Sequence, residues 1–139
     1  MKSYVIDTNC ILSYVTDRNT QQQAIMQPYF EQCSNGTVQF FILESVKVEM
    51  VYVLDRVYRV PKPTIGQLLR DLFSSPGINY AVNTDETEEF AFWPDKVKDY
   101  GDAVLAHYAK KSQLPVMTFD RDFAGQLKHL SIKHVYLKS

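Results

Sequence analysis

The chain has 139 residues, and we expect one domain over residues 1–139. The share of apolar residues, 45%, excludes a disordered chain, and the net charge of −1 excludes binding to nucleic acid through global positive charge. Because there are only two cysteines, no apolar run near about 20 residues and no signal-peptide pattern, we expect a cytoplasmic protein that does not span a membrane.

Short apolar runs alternate with helical patterns along the chain. In chain order they predict strand 3–6, helices 8–15 and 20–33, strand 38–43, helices 45–58 and 64–73, strand 78–82, a helix that begins near residue 84, helix 99–111, strand 116–119, helix 122–130 and an edge strand 134–137. This alternation is typical of an α/β domain whose mainly parallel sheet is covered on both faces.

Two aspartates stand directly after predicted strands. Asp7 follows the first strand, and Asp120 follows the strand at 116–119. Ligands of open parallel sheets bind beyond the carboxyl ends of the strands, so both carboxylates would face one cleft if these two strands are neighbours. The alternative is that each aspartate caps the helix after it.

Two further acids lie on predicted helices beside apolar faces. Glu49 flanks the stripe formed by Val46, Met50, Val53 and Val57, and Asp102 shares a face with Leu105, Ala106 and Ala109. An acid beside a buried face is costly unless it is paired or binds a cation. The alternatives are a Glu49 carboxylate turned to solvent or paired with an arginine, and an Asp102 placed at the start of its helix for the helix dipole.

Together these residues predict a site for a divalent cation. Four buried carboxylates without a buried lysine or arginine would repel one another and shift to neutral, and a hard cation relieves the repulsion. Ligands that are all oxygen select magnesium or manganese, and such a site suits phosphodiester hydrolysis. Asp99 and Asp122 are possible additional members. The three histidines, His107, His129 and His134, lack the spacing of metal ligands, and we expect them at the surface or a sheet edge.

Four segments, in order, resemble the motifs of PIN domains. They are residues 5–9 (VIDTN), 46–54 (VKVEMVYVL), 100–106 (YGDAVLA) and 117–123 (MTFDRDF). The resemblance implies a three-layer α/β/α sandwich and a ribonuclease that depends on Mg²⁺ or Mn²⁺. The metal-site acids of the family correspond here to Asp7, Glu49, Asp102 and Asp120. By the same resemblance Asn9 and Thr118 orient the site, and Asp122 supports it.

The length is similar to that of VapC-type toxins, members of the family that act in toxin–antitoxin pairs. That likeness implies a cognate antitoxin protein and a homodimer. RNA near an acidic pocket needs basic residues at its rim, and the candidates are Lys47, Arg56, Arg121 and Lys128.

Other functions remain open at this point. One is a PIN nuclease that is not a toxin, and another is a binding module that has kept the site without activity. A third is a phosphoacceptor or phosphatase domain with Asp7 as the acceptor. It would usually require a second aspartate near Asp7 and a lysine after the late strand, and neither is present.

Overall fold

The computed structural model describes residues 2–82 and 91–138. The helix predicted to begin near Thr84 lies outside these residues.

A five-stranded, all-parallel sheet forms the centre of the molecule, in the order β3-β2-β1-β4-β5. Its strands are β1 (Lys2–Ile6), β2 (Val38–Leu43), β3 (Ile78–Ala81), β4 (Val116–Thr118) and β5 (His134–Tyr136). All three residues of β4 are buried, as expected for a central strand with both faces covered. The predicted α/β fold with helices flanking a parallel sheet is therefore confirmed.

Six α-helices connect and flank the strands. They are α1 (Thr8–Val15), α2 (Thr20–Ser34), α3 (Glu44–Tyr52), α4 (Lys62–Phe73), α5 (Tyr100–Ser112) and α6 (Arg121–His129), counted over the described residues. Aromatic rings fill the space between α2 and the sheet. Phe30 packs on Phe40 of β2, and Tyr14 of α1 stacks on Phe30 with ring centroids 4.0 Å apart. Within residues 2–82 and 91–138, no helix combines the length and the apolar character needed to cross a bilayer.

The helix predicted over 45–58 is present, but its geometry changes in its second half. The α-helical pattern ends at Tyr52 and continues as a π-helical turn over Val53–Val57, in which the Tyr58 N–H donates to the Val53 carbonyl at 2.8 Å. The wider turn changes which side chains face the core. Leu54 is buried, whereas Val57 is 58% exposed. The prediction that Val57 belongs to the buried apolar stripe is therefore wrong.

His107 is buried, contrary to the expectation that it lies at the surface. The whole run from Ala103 to His107 is buried, so α5 is covered over more of its circumference than its stripe of small residues predicts. Part of that cover is Phe92, whose ring meets the His107 ring edge-on at 6.1 Å. His129 is exposed and His134 lies in the edge strand β5, both as predicted.

Candidate active site

An acidic cleft lies at the carboxyl ends of β1 and β4. These strands are neighbours in the sheet, although Ile6 of β1 and its partner Met117 of β4 are 111 positions apart in the chain. The sheet order reverses between them, and this is where ligands bind in open parallel sheets. The cleft has a volume of about 390 Å³ and is lined by Asp7, Thr8, Asn9, Glu49, Asp99, Asp102 and Asp120. The structure thus brings the four predicted acids to one place.

Asp7 is the most firmly held carboxylate of the cleft. Its Oδ1 accepts the Thr8 N–H at 2.8 Å, and its Oδ2 accepts the Thr118 hydroxyl at 2.8 Å. Thr118 is fully buried and also accepts the Asp120 N–H at 3.0 Å. One hydroxyl therefore fixes Asp7 and the backbone of Asp120 relative to each other. Each Asp7 oxygen accepts one hydrogen bond in this network, which leaves lone pairs directed elsewhere.

Three of the aspartates also cap helices. The Asp7 side chain caps α1, Asp120 Oδ1 accepts the Phe123 N–H at the start of α6, and Asp99 Oδ1 accepts the Asp102 N–H at the start of α5. Capping and cleft lining were set out above as alternatives for Asp7 and Asp120. The structure shows both together, because each carboxylate oxygen has two lone pairs, so an aspartate that caps a helix can still line a cleft.

Glu49 reaches the cleft from α3 and Asp102 from α5, and the end of the Glu49 side chain lies close to Gly101 of α5. A Cβ on Gly101 would lie 3.3 Å from Asp99 Oδ1 and 3.8 Å from Glu49 Oε2. Any larger side chain would therefore extend into the space between these two acids. Glycine at this position allows the first turn of α5, and with it Asp102, to face Glu49 of α3.

Burial and the charges of neighbouring acids raise the pKa values of three acids in the cleft. Burial, followed by the charges of Asp7, Asp99, Asp120 and Glu49, raises the pKa of Asp102 to about 8. Burial also raises the pKa of Asp7, against the hydrogen bonds from Thr118 and Thr8. The pKa of Glu49 is raised by burial and then by the charges of Asp7 and Asp99. Uncompensated negative charge is therefore concentrated in this cleft.

The donor chemistry fits a hard divalent cation. All the side-chain ligands that line the cleft are oxygen donors apart from the amide nitrogen of Asn9, and neither lysine nor arginine is among the lining residues. Over residues 2–82 and 91–138, no three His, Cys, Asp or Glu side chains are already grouped closely enough to hold a metal ion.

The acids are less buried than the sequence predicts. Asp7 and Asp102 are half-buried, while Glu49 and Asp120 are exposed. The expectation of four buried carboxylates is wrong, because the sheet edge and the ends of the flanking helices leave the cleft open to solvent. Asp122 is exposed on the first turn of α6 and is not among the residues that line the cleft.

Two of the four predicted basic residues are engaged by neighbouring acids. Lys47 contacts Glu44 at 2.8 Å and lines a different pocket, and Arg56 contacts Asp55 at 3.4 Å.

The other two basic residues lie at opposite ends of α6. Arg121 is exposed directly after Asp120, while Lys128 is in the last turn, about 10 Å further along at the rise of an α-helix. Arg121 is thus the only one of the four that adjoins a cleft residue in the chain.

The structure adds residues that sequence analysis did not single out. Thr8 is buried, lines the cleft, and forms a hydrogen bond that opposes the rise in the pKa of Glu49. Gln22 of α2 accepts the Ser13 hydroxyl at 2.7 Å and the Asn9 amide at 3.5 Å, so it supports Asn9 from behind. The position of Thr8 directly after an apolar strand is a signal for its role, whereas Gln22 has no such signal.

The PIN domain family model matches residues 4–126, and the chain belongs to this family. PIN domains are generally nucleases, and a cleft of acids at the switch point of a parallel sheet is consistent with that class. No curated protein has a sequence that matches the chain significantly.

Proposed function

We propose that this protein is a ribonuclease that depends on Mg²⁺ or Mn²⁺ and hydrolyses phosphodiester bonds of RNA. The observation that carries the proposal is the set of carboxylates in one cleft, which no lining lysine or arginine neutralises. The pKa values of Asp7 and Asp102 are raised there, first by burial and then by repulsion from neighbouring acids. A divalent cation relieves this repulsion and is attracted by the oxygen donors present.

Each acid has a distinct task in this proposal. Asp7, Asp102 and Asp120 would hold one or two ions, and Glu49 would hold a second ion or orient the attacking water. A bound ion would lower the pKa of a water molecule bound to it and would offset negative charge on a phosphate oxygen. The chain itself supplies alignment, since Thr118 holds Asp7 in place and orients Asp120 through its backbone.

The toxin role is a further part of the proposal, supported by the likeness in length between this chain and VapC-type toxins. A cognate antitoxin would carry a basic side chain into the cleft, where it would neutralise the carboxylates, and the toxin would form a homodimer. Action in the cytoplasm is supported by the two cysteines, Cys10 and Cys33, which are both unpaired and buried. A PIN nuclease with another cellular role shares the same chemistry.

The test is cleavage of a labelled RNA by purified protein with Mn²⁺, with Mg²⁺, or with a chelator. We expect cleavage with either ion and none with the chelator. Asp7→Asn should abolish cleavage and leave the circular dichroism spectrum unchanged, whereas the exposed loop variant Asp17→Asn should cleave at the wild-type rate. Full cleavage by Asp7→Asn would refute the site. A stable acyl phosphate on Asp7 after labelling with a phosphate donor would instead favour the phosphoacceptor function.

A further inference from the structure

An exposed pair of aromatic side chains lies close in the chain to two acids of the cleft. Trp93 is 45% exposed and Tyr100 is 40% exposed, and their rings meet edge to face with centroids 5.3 Å apart. Tyr100 is the first residue of α5, directly after Asp99, which lines the cleft, and two residues before Asp102. Large aromatic surface is thus presented to solvent next to the acids.

The segment that carries Trp93 is anchored to the rest of the domain. The indole N–H donates to the Lys98 carbonyl at 3.1 Å, which ties Trp93 to the residue before Asp99. The Val97 N–H donates to the Phe92 carbonyl at 2.8 Å, and the Val97 side chain is fully buried. The aromatic pair is therefore held in a fixed position beside the cleft, so little side-chain freedom would be lost on binding.

The charges around the pair suit a nucleic-acid strand. Lys96 and Lys98 are exposed within five residues of Trp93 in the chain, with Asp95 directly before Lys96 and Asp99 directly after Lys98. These lysines supply positive charge beside a cleft whose lining includes none. Lys47, by contrast, is held by Glu44 and lines a separate pocket. Alternation of aromatic rings with cations is the arrangement by which proteins bind single strands.

We propose that Trp93 and Tyr100 form a stacking platform for an unpaired base of the RNA strand whose backbone enters the acidic cleft. This inference rests on the proposed function and adds a base-binding subsite beside the cleft. A base inside a duplex is stacked on both faces, so only an unpaired base can lie on a protein ring. The lysines would contact the phosphates on either side of that base.

The experiment uses the fact that Trp93 is the only tryptophan of the chain. The full-length protein is titrated with a single-stranded RNA of about eight nucleotides, within the usual span of such sites. A chelator prevents cleavage, and the ionic strength is low. We expect saturable quenching of the Trp93 emission, and much weaker quenching by a duplex of the same sequence. In a parallel titration with end-labelled RNA, Trp93→Ala and Tyr100→Ala should each bind about 5- to 150-fold more weakly, as loss of one base stack predicts.

Three matched variants separate stacking from general damage. Trp93→Phe and Tyr100→Phe keep a ring and should retain most of the affinity. Tyr52→Ala removes an aromatic side chain that is 61% exposed but does not line the cleft, and should bind as the wild type does. Trp93→Ala removes the hydrogen bond from the indole N–H to the Lys98 carbonyl and could disturb the local backbone. Tyr100→Ala leaves that hydrogen bond in place and therefore provides an independent test.

Two results would overturn the platform. One is RNA binding without a change in Trp93 emission, together with wild-type affinity in both alanine variants. The other is a blue shift of the emission that depends on protein concentration alone, which would show that a second copy covers the pair. Quenching and weakened variants in a protein that cleaves no RNA would uphold the platform and reject the proposed nuclease. Cleavage with an unchanged KM in the alanine variants would uphold the nuclease and reject the platform.

Discussion

Replacing Asp102 with asparagine should stabilise the metal-free protein at alkaline pH. Asp102 has a pKa raised from 3.8 to about 8, first by burial and then by the four acids around it. The folded state therefore holds this proton more tightly than the unfolded chain does. Its contribution to stability is complete below the unfolded pKa and is lost as the pH rises through about 8.

The magnitude follows from that difference in pKa. A difference of about four, at about 1.36 kcal/mol for each pKa unit, gives an upper bound of about 5 to 6 kcal/mol. Because Asp102 is half-buried at the wall of an open cleft, solvent screening reduces this to about 2 kcal/mol. Asp102 also lies in the first turn of α5, where its charge contributes about 0.5 kcal/mol through the helix dipole. Asp102→Asn loses this helix-dipole contribution, but the loss is smaller than the gain, so the variant is still expected to be more stable than the wild type.

The assay is thermal unfolding of wild type and Asp102→Asn between about pH 4 and pH 8.5, with a chelator present. For a chain of this length about 2 kcal/mol corresponds to an increase in Tm of roughly 4–8 °C at the upper end of the range, shrinking toward zero at about pH 4. Asp17→Asn, an exposed acid on the loop after α1, should show no such trend. A difference between wild type and Asp102→Asn that is independent of pH, or of opposite sign, would refute the reasoning.

Two further predictions concern the support of the site and of the fold. Thr118→Val should lower RNA cleavage about 10- to 100-fold and destabilise the protein by about 1–3 kcal/mol, because Asp7 loses a donor and the Asp120 N–H loses its acceptor. Thr118→Ser keeps both bonds and should restore most of the activity; equal cleavage rates for the two variants would contradict this. Gly77→Ala should cost about 3 kcal/mol in urea unfolding, because its Cβ would lie 2.2 Å from a backbone carbonyl. Gly125→Ala, in α6 with no neighbouring atom within 4 Å, should instead gain up to about 1 kcal/mol, and a similar loss in both would contradict the packing argument.

The position of the cleft could be predicted in part from local patterns. Apolar runs that end at Asp7 and Asp120 place both acids at the carboxyl edge of a parallel sheet, whatever the order of its strands. The pairing of β1 with β4 joins distant parts of the chain. The sequence therefore predicts a shared cleft only on the condition that these two strands are neighbours. The structure meets the condition, and Thr118 then bridges the two acids across the strand pair.

The prediction of buried positions from α-helical periodicity is wrong where the α-helix becomes a π-helical turn. The stripe that included Val57 assumes about 100° per residue, which holds for α3 but not for the π-helical turn after Tyr52. No residue pattern at 45–58 signals that turn, so the burial of Leu54 in place of Val57 could not be anticipated. Glu49 lies before the change, which is why its position relative to Val46 and Met50 is the predicted one.

Charge pairing was the least predictable feature of the site. Glu44 and Asp55 are three and one residues from Lys47 and Arg56, so local ion pairs formed where RNA contacts were expected. The aromatic pair was not predicted from the sequence at all. Trp93 and Tyr100 are seven residues apart in a segment without a clear periodic pattern, and only the fold brings their rings together beside Asp99.

The central claim is that the carboxylates of this cleft jointly bind a divalent cation. A crystal structure of the full chain grown with Mn²⁺ tests it most directly, because anomalous scattering locates the ion independently of the protein atoms. We predict an anomalous peak in contact with Asp7, Asp102 and Asp120, and none there in Asp7→Asn crystals. A wild-type cleft without a peak at saturating Mn²⁺, or an ion held only by acids outside it, would contradict the account.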